Sequence, residues 1–110
     1  MDQDVKKSSL PNQWKIEDSL DVYQVPKWGQ GYFSINAAGH VVVRPDGLAE
    51  HEIDLLEVVQ GLRARDLTTP VVVRFSDILR HRLARLHKAF SQAIAENDYK
   101  NRYVAVFPIK

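Results

Sequence analysis

The sequence predicts an α/β fold in which a small β-hairpin segment is followed by a β–α–β unit. Two short apolar runs flank Asn36–Gly39, a loop that ends in glycine, as the loops of β-hairpins commonly do. Apolar residues at helical spacing dominate the chain after residue 76. The runs Thr69–Phe75 and Tyr103–Ile109, before and after that helix, are apolar without alternation, which is typical of strands buried on both faces.

Composition excludes several classes of protein. The 110 residues carry a formal charge of +1, which provides no general attraction to nucleic acid or anionic lipid. No apolar run is long enough to span a bilayer, and the polar start lacks the apolar stretch of a secretory signal. The chain has no cysteine, so disulfides and thiolate metal sites are ruled out. We therefore expect a cytoplasmic protein without nucleic-acid or membrane partners.

The chain divides by composition into three parts. Residues 1–11 are polar and predict a disordered tail, residues 12–48 predict a short helix with a hairpin, and residues 49–110 begin a larger unit. The short helix is predicted over Trp14–Val25 because its apolar residues recur at helical spacing. Pro26 is expected to end it.

The hairpin is predicted in the second part, residues 12–48. Trp28–Gly31 has the residues of a turn. Tyr32–Ile35 and His40–Arg44 predict two strands, and Pro45–Gly47 predicts the turn that leaves the second strand.

Two helices are predicted in the remainder. The first covers Ala49–Arg63, with acidic residues in its first turns and arginine at its end, which suits the helix dipole. Ser76 is expected to cap the second, longer helix. An apolar stripe along this second helix consists of Leu79, Leu83, Leu86, Phe90 and Ile94.

The last predicted strand ends in a lysine, Lys110. Side chains alternate across a strand, so Lys110 shares a face with Val104 and Val106. An amine at the end of an apolar strand is partly desolvated, which favours its neutral, nucleophilic form. Such a lysine can hold the aldehyde cofactor pyridoxal phosphate as a Schiff base. The alternative is a polar residue that merely ends a strand.

Two strands and a crossover helix cannot bury both faces of a sheet. We therefore expect the chain to be the front part of a larger protein, in which further strands and helices cover these surfaces. Exposed apolar sheet edges predict poor solubility or self-association of the isolated chain.

Other candidate sites have simpler explanations. The four histidines at positions 40, 51, 81 and 87 are too scattered in sequence for a metal cluster. Gly29 and Gly31 lack the third glycine and the strand-to-helix context of a phosphate-binding loop, which favours a turn. The basic positions of the second long helix indicate a solvated face rather than a nucleic-acid interface.

Three blocks resemble a known family. They are Trp28–Asn36 with Gly39 and Val41–Val43, then Pro70–Leu79, and finally Val106–Lys110, and they are similar to the biosynthetic arginine decarboxylase family. The third block also occurs in diaminopimelate and ornithine decarboxylases, whereas the first two resemble the arginine enzyme more specifically. In the family the third motif continues past the lysine into a short polar run that this sequence lacks.

The resemblance implies a fold, a cofactor and a reaction. The β–α–β unit would open a (β/α)8 TIM-like barrel of the alanine-racemase type, incomplete in this chain. Lys110 would be both the catalytic and the cofactor-binding residue and would hold pyridoxal 5'-phosphate. L-arginine would be converted to agmatine and CO2 in polyamine and spermidine biosynthesis. The family also implies Mg2+ and a homo-oligomer, although these residues contain no evident magnesium site.

The fragment alone is expected to be inactive, because the phosphate-binding glycines and the groups of a second subunit belong to the missing part. Two alternatives remain open. One is a fragment of a related diaminopimelate or ornithine decarboxylase, and the other is a non-catalytic truncated assembly segment.

Overall fold

The computed structural model describes residues 13–109, which form two compact units that divide after Val71. The predicted α/β composition is confirmed, with a three-stranded antiparallel sheet and helices. The first unit contains α1 (Ile16–Val22), α2 (Val25–Gly29), β1 (Phe33–Ile35), β2 (Val41–Val43), a 3-10 turn (Ala49–His51), β3 (Ile53–Asp54) and α3 (Leu55–Ala64). The second contains α4 (Ser76–Glu96). The three-part division predicted from composition stays a prediction, and its tail, residues 1–11, lies outside the described residues.

The single helix predicted over Trp14–Val25 is two short helices. The chain takes the left-handed conformation at Gln24, with φ of 52°, and α2 begins at the next residue. Pro26 lies in the first turn of α2, where its missing N–H group leaves no hydrogen bond unmade. The prediction that Pro26 ends a helix was wrong, since it helps to start one. The predicted turn Trp28–Gly31 begins within α2.

The predicted hairpin is confirmed. β1 and β2 pair antiparallel, with Phe33 opposite Val43. The side-chain oxygen of Asn36 accepts hydrogen bonds from the backbone N–H groups of Ala38 and His40, at 3.0 and 2.9 Å. An asparagine that bonds the backbone two residues ahead is a common way to stabilise a tight loop.

The predicted helix over Ala49–Arg63 begins later than expected. Its first residues form a 3-10 turn and then β3, which pairs with β2 through Val43 and Ile53. α3 starts at Leu55 because the Asp54 carboxylate accepts hydrogen bonds from two backbone N–H groups of the first helical turn. A residue paired in the sheet cannot also be helical, so the third strand sets the start of the helix.

The core of the first unit is small. Its buried apolar residues are Val25, Tyr32, Val42 and Val43. Gly29 is also buried, and a Cβ atom placed there would lie 3.1 Å from the Cβ of Phe33. The core therefore sits between the sheet and the helices around it.

The second unit is built on α4. Phe75 occupies the N-cap position without a side-chain capping hydrogen bond, and Ser76 is the first residue of the helix. The predicted cap at Ser76 was wrong, because the helix starts one residue earlier than that role requires. The predicted apolar stripe is largely uncovered, with Leu79 64% exposed and Phe90 46% exposed.

The two flanking apolar runs, Thr69–Phe75 and Tyr103–Ile109, form no strand. The strands predicted over these runs are therefore not formed in the described residues, and Val72 and Val106 are 80% and 82% exposed. A strand exists only when its backbone groups bond a neighbouring strand. No strand among residues 13–109 pairs with either run.

Candidate functional site

The predicted catalytic and cofactor-binding residue, Lys110, lies outside the described residues. The structure describes the segment that leads to it, residues 102–109, and the helix α4 against which that segment lies.

Tyr103 attaches the start of the segment to α4. Its ring is parallel to that of Phe90, with centroids 4.2 Å apart and planes 1° apart. The ring of His87 meets Tyr103 edge-on at 6.0 Å. Aromatic pairs contribute about 0.5–1.5 kcal/mol beyond the area that they bury. Tyr103 is accordingly partly shielded from solvent, whereas the other residues of the segment are exposed.

Phe107 provides a second contact four residues later. It lines an open groove of about 390 Å³ together with three leucines and two arginines of α4, namely Leu79, Leu83, Leu86, Arg82 and Arg85. Tyr103 meets α4 near residue 90 and Phe107 meets it nearer its start. The segment therefore runs antiparallel to the helix.

The spacing of these contacts fits an extended chain. The four extended steps from Tyr103 to Phe107 span roughly 13 Å, and the seven helical steps from Leu83 to Phe90 span roughly 10 Å. Side chains of an extended chain alternate between two sides. Tyr103 and Phe107 lie next to α4, and the alternation assigns Val104 and Val106 to the other side.

A separate polar cluster in the first unit was not predicted from the sequence. The Nδ1 atom of His40 lies 2.7 Å from Oδ2 of Asp54, and the Asn36 amide donates to the same oxygen at 3.1 Å. The other Asp54 oxygen accepts from the backbone N–H of Leu56 at 2.9 Å. The hydrogen bond with His40 is the main reason that the pKa of Asp54 is lowered. The cluster joins the hairpin loop to α3.

The first unit contains a second histidine–carboxylate pair. His51 Nδ1 is 2.6 Å from Oδ2 of Asp46, and the backbone N–H of Leu48 donates to the other oxygen at 3.0 Å. The hydrogen bond from Leu48, followed by that with His51, lowers the pKa of the Asp46 carboxyl. Asp46 follows Pro45 in the predicted turn, so the sequence contained the signal for the backbone bond.

Each of these two clusters contains one histidine and one carboxylate. Among residues 13–109, no three His, Asp or Glu side chains come together as a group that could hold a metal ion. In the same range, no helix combines the length and apolar character needed to cross a bilayer. Gly29 is buried in α2 and Gly31 lies in a turn with φ of 84°, an arrangement that fits the predicted turn.

Comparison with known proteins identifies similar sequences. No family model matches the chain. It is 49% identical, over 99% of its length, to the biosynthetic arginine decarboxylase of Prochlorococcus marinus subsp. pastoris. It is 52% identical, over 88% of its length, to the enzyme of the same name from Nostoc sp., and 50% identical to biosynthetic arginine decarboxylase 2 of Synechocystis sp.. The chain spans 16%, 14% and 15% of these relatives. The resemblance predicted from the three sequence blocks is confirmed.

Proposed function

We propose that this chain is part of a biosynthetic arginine decarboxylase, in which Lys110 holds the cofactor pyridoxal phosphate. The observation that carries the proposal is the 46–52% identity to proteins of that name over 88–99% of the chain. The complete protein would convert L-arginine to agmatine and CO2. The relatives are about six times longer than this chain, so the activity belongs to the longer protein and the fragment alone would be inactive.

The alternation of residues 103–107 supports the role of Lys110. In a (β/α)8 barrel the helices lie outside the strands, so a side chain that points away from the helices points into the barrel. Tyr103 and Phe107 lie next to α4. Continued at a period of two, the alternation assigns Lys110 to the opposite, inner side.

The direction of the segment supports a barrel as well. A helix that connects two parallel strands runs antiparallel to both of them, and residues 103–107 run antiparallel to α4. The exposed apolar surfaces of Val72, Val106 and Leu79 are those that neighbouring strands would cover. We propose that the second unit opens a (β/α)8 barrel that the rest of the longer protein completes.

The residues present fit one end of the cofactor. Lys110 supplies an amine after an apolar segment, and apolar surroundings favour the neutral amine that attacks an aldehyde carbon. All five glycines lie between residues 29 and 61, so the second unit contains no glycine-rich loop and the groups that bind the phosphate come from elsewhere. When bound, pyridoxal phosphate supplies an electron sink for the carbon that loses CO2. Mg2+, a homo-oligomer and a cytoplasmic location are proposed from the family resemblance alone.

A chimeric enzyme tests the proposal. This chain replaces the segment of the Prochlorococcus relative to which it aligns, and the measurements are agmatine formation and the lysine that is labelled after pyridoxal phosphate is fixed with borohydride. We expect activity in the parent chimera, with the label on Lys110, and loss of both in Lys110→Ala. Lys100→Ala is the matched control, because Lys100 is 82% exposed and pairs with Asp98 on the surface. A Lys110→Ala chimera that keeps its activity would refute the role of Lys110.

The same chimera separates the alternatives. Activity on ornithine or diaminopimelate that exceeds the activity on arginine would favour a related decarboxylase. An inactive parent chimera that is folded would favour the non-catalytic assembly segment. The names of the relatives favour arginine.

A further inference from the structure

We propose that Tyr103 is a positioning residue, whose ring sets the register of residues 102–109 along α4 and thereby where Lys110 is presented. The part of this inference that concerns Lys110 rests on the proposed function. The part that concerns the register rests on the described contacts alone.

Side chains are what hold this segment to the second unit. Residues 102–109 belong to no strand, so no ladder of backbone hydrogen bonds defines their register. Val104 is 61% exposed, Val106 82% and Ile109 98%, and they contribute little packing. Two contacts with α4 are established, that of Tyr103 with Phe90 and His87, and that of Phe107 in the leucine groove.

Of these two contacts, that of Tyr103 is the more specific. Phe107 is 59% exposed and lies in an open groove in which a ring can slide along the leucines. The Tyr103 ring instead lies flat on Phe90, and His87 meets it edge-on. Two flat rings share their full contact area in one relative position, so a shift along the helix separates them.

The register matters because a slip changes where residue 110 lies. A slip by one residue turns every side chain of an extended segment to the other side. A slip by two residues keeps the side but moves each residue by roughly 7 Å along the helix. The stack of Tyr103 on Phe90 opposes both movements, since either one carries the tyrosine ring off its partner.

Distance measurements between spin labels test the register in the 110-residue chain. Because the sequence has no cysteine, Ala84→Cys and Ile109→Cys provide two unique attachment points. Ala84 lies on the side of α4 away from the apolar stripe, and Ile109 is 98% exposed, so neither label disturbs the stack. We expect one narrow distance distribution in the doubly labelled parent, the same distribution with Tyr103→Phe, and a broad one with Tyr103→Ala.

Two outcomes would overturn the positioning role. One is a Tyr103→Ala distribution as narrow as that of the parent, and the other is a parent distribution that is already broad. Circular dichroism shows whether α4 survives the substitution. If Tyr103→Ala unfolds the helix, Phe90→Leu removes the stacked ring while keeping an apolar, helix-favouring residue, and a narrow distribution in that variant would equally refute the proposal.

The chimeric enzyme then tests the consequence for Lys110. In the chimera, neighbouring strands of the proposed barrel also bond the segment, so the stack is one of several contacts that set its register. We expect Tyr103→Ala to slow labelling of Lys110 by pyridoxal phosphate by up to roughly tenfold, the upper end of what an aromatic pair contributes, and Tyr103→Phe to restore it. Unchanged labelling in Tyr103→Ala would refute the positioning role of Tyr103. The cofactor-binding role proposed for Lys110 would be unaffected. If the parent chimera is not labelled at Lys110, the proposed function fails, and the spin-label distances still decide whether Tyr103 sets the register.

Discussion

The Nδ1 atom of His40 lies 2.7 Å from Oδ2 of Asp54, and this contact joins the loop of the hairpin to the first turn of α3. The same carboxylate accepts hydrogen bonds from the Asn36 amide and from backbone N–H groups of α3. One side chain thus connects the hairpin loop to the first turn of α3, two parts of the first unit that are separate in sequence.

Replacement of Asp54 should destabilise the first unit. Asp54→Ala removes the helix cap and leaves His40 and Asn36 without their shared acceptor, whereas Asp54→Asn keeps a good capping residue. We expect the free energy of unfolding, measured with urea, to fall clearly in Asp54→Ala and less in Asp54→Asn. Equal losses in the two variants would show that the cap is not what Asp54 contributes.

Acid should destabilise the same unit. The folded-state pKa values of Asp46 and Asp54 are lowered from 3.8, so each ionised carboxylate contributes stability that is present above that pH. The contribution is lost as the pH falls through the lowered folded-state pKa. Urea unfolding at several pH values between 7 and 2 should show that the free energy of unfolding declines from about pH 4 downward. Asp54→Asn should make this decline with pH less steep. A decline that is equally steep in Asp54→Asn would exclude Asp54 as a source of the acid sensitivity.

Val43 should be a sensitive core position. It is fully buried and pairs with both Phe33 and Ile53 in the sheet. Val43→Ala should cost about 2 kcal/mol, from the two methyl groups removed and the cavity that remains. Val41 in the same strand is 37% exposed, and Val41→Ala should cost less than half as much. Similar losses in urea unfolding would contradict the placement of the core.

Replacing two helical glycines by alanine should change the stability of the first unit in opposite directions. At Gly61, in α3, a Cβ atom meets nothing within 4 Å, so Gly61→Ala should stabilise the unit by about 0.5–1 kcal/mol through helix propensity. At Gly29 the added atom would lie 3.1 Å from the Cβ of Phe33, whose position is set by pairing in β1. Gly29→Ala should therefore lower the thermal midpoint of unfolding. A higher midpoint in this variant would show that β1 shifts to accommodate the added methyl group.

The isolated chain should self-associate through α4. The exposed leucines at positions 79, 83 and 86 form a continuous apolar surface, and such surfaces drive association in water. Sedimentation velocity should show concentration-dependent association that Leu83→Lys reduces. Ala84→Lys, with the same charge on the other side of the helix, is the control and should leave association in place. A monomeric parent chain at all concentrations would contradict this expectation.

Short-range patterns identified much of the fold. The hairpin could be predicted because Asn36 and the flanking valines act within a few residues of one another, and α4 because its stripe recurs at helical spacing. The resemblance to arginine decarboxylases was readable from continuous blocks for the same reason. Lys110 was identified from its position at the end of an apolar run, and its role stays a proposal.

Tertiary structure decided the features that depend on distant residues. The start of α3 follows from the pairing of Ile53 with Val43, ten positions away, and the His40–Asp54 contact spans fourteen. The two apolar runs beside α4 have strand composition, yet composition creates no strand without a partner backbone to bond. The sequence by itself determined which segments favour helix or strand, because that preference is local. Which of them pair and which stay uncovered was decided by the neighbours that the fold brings to them.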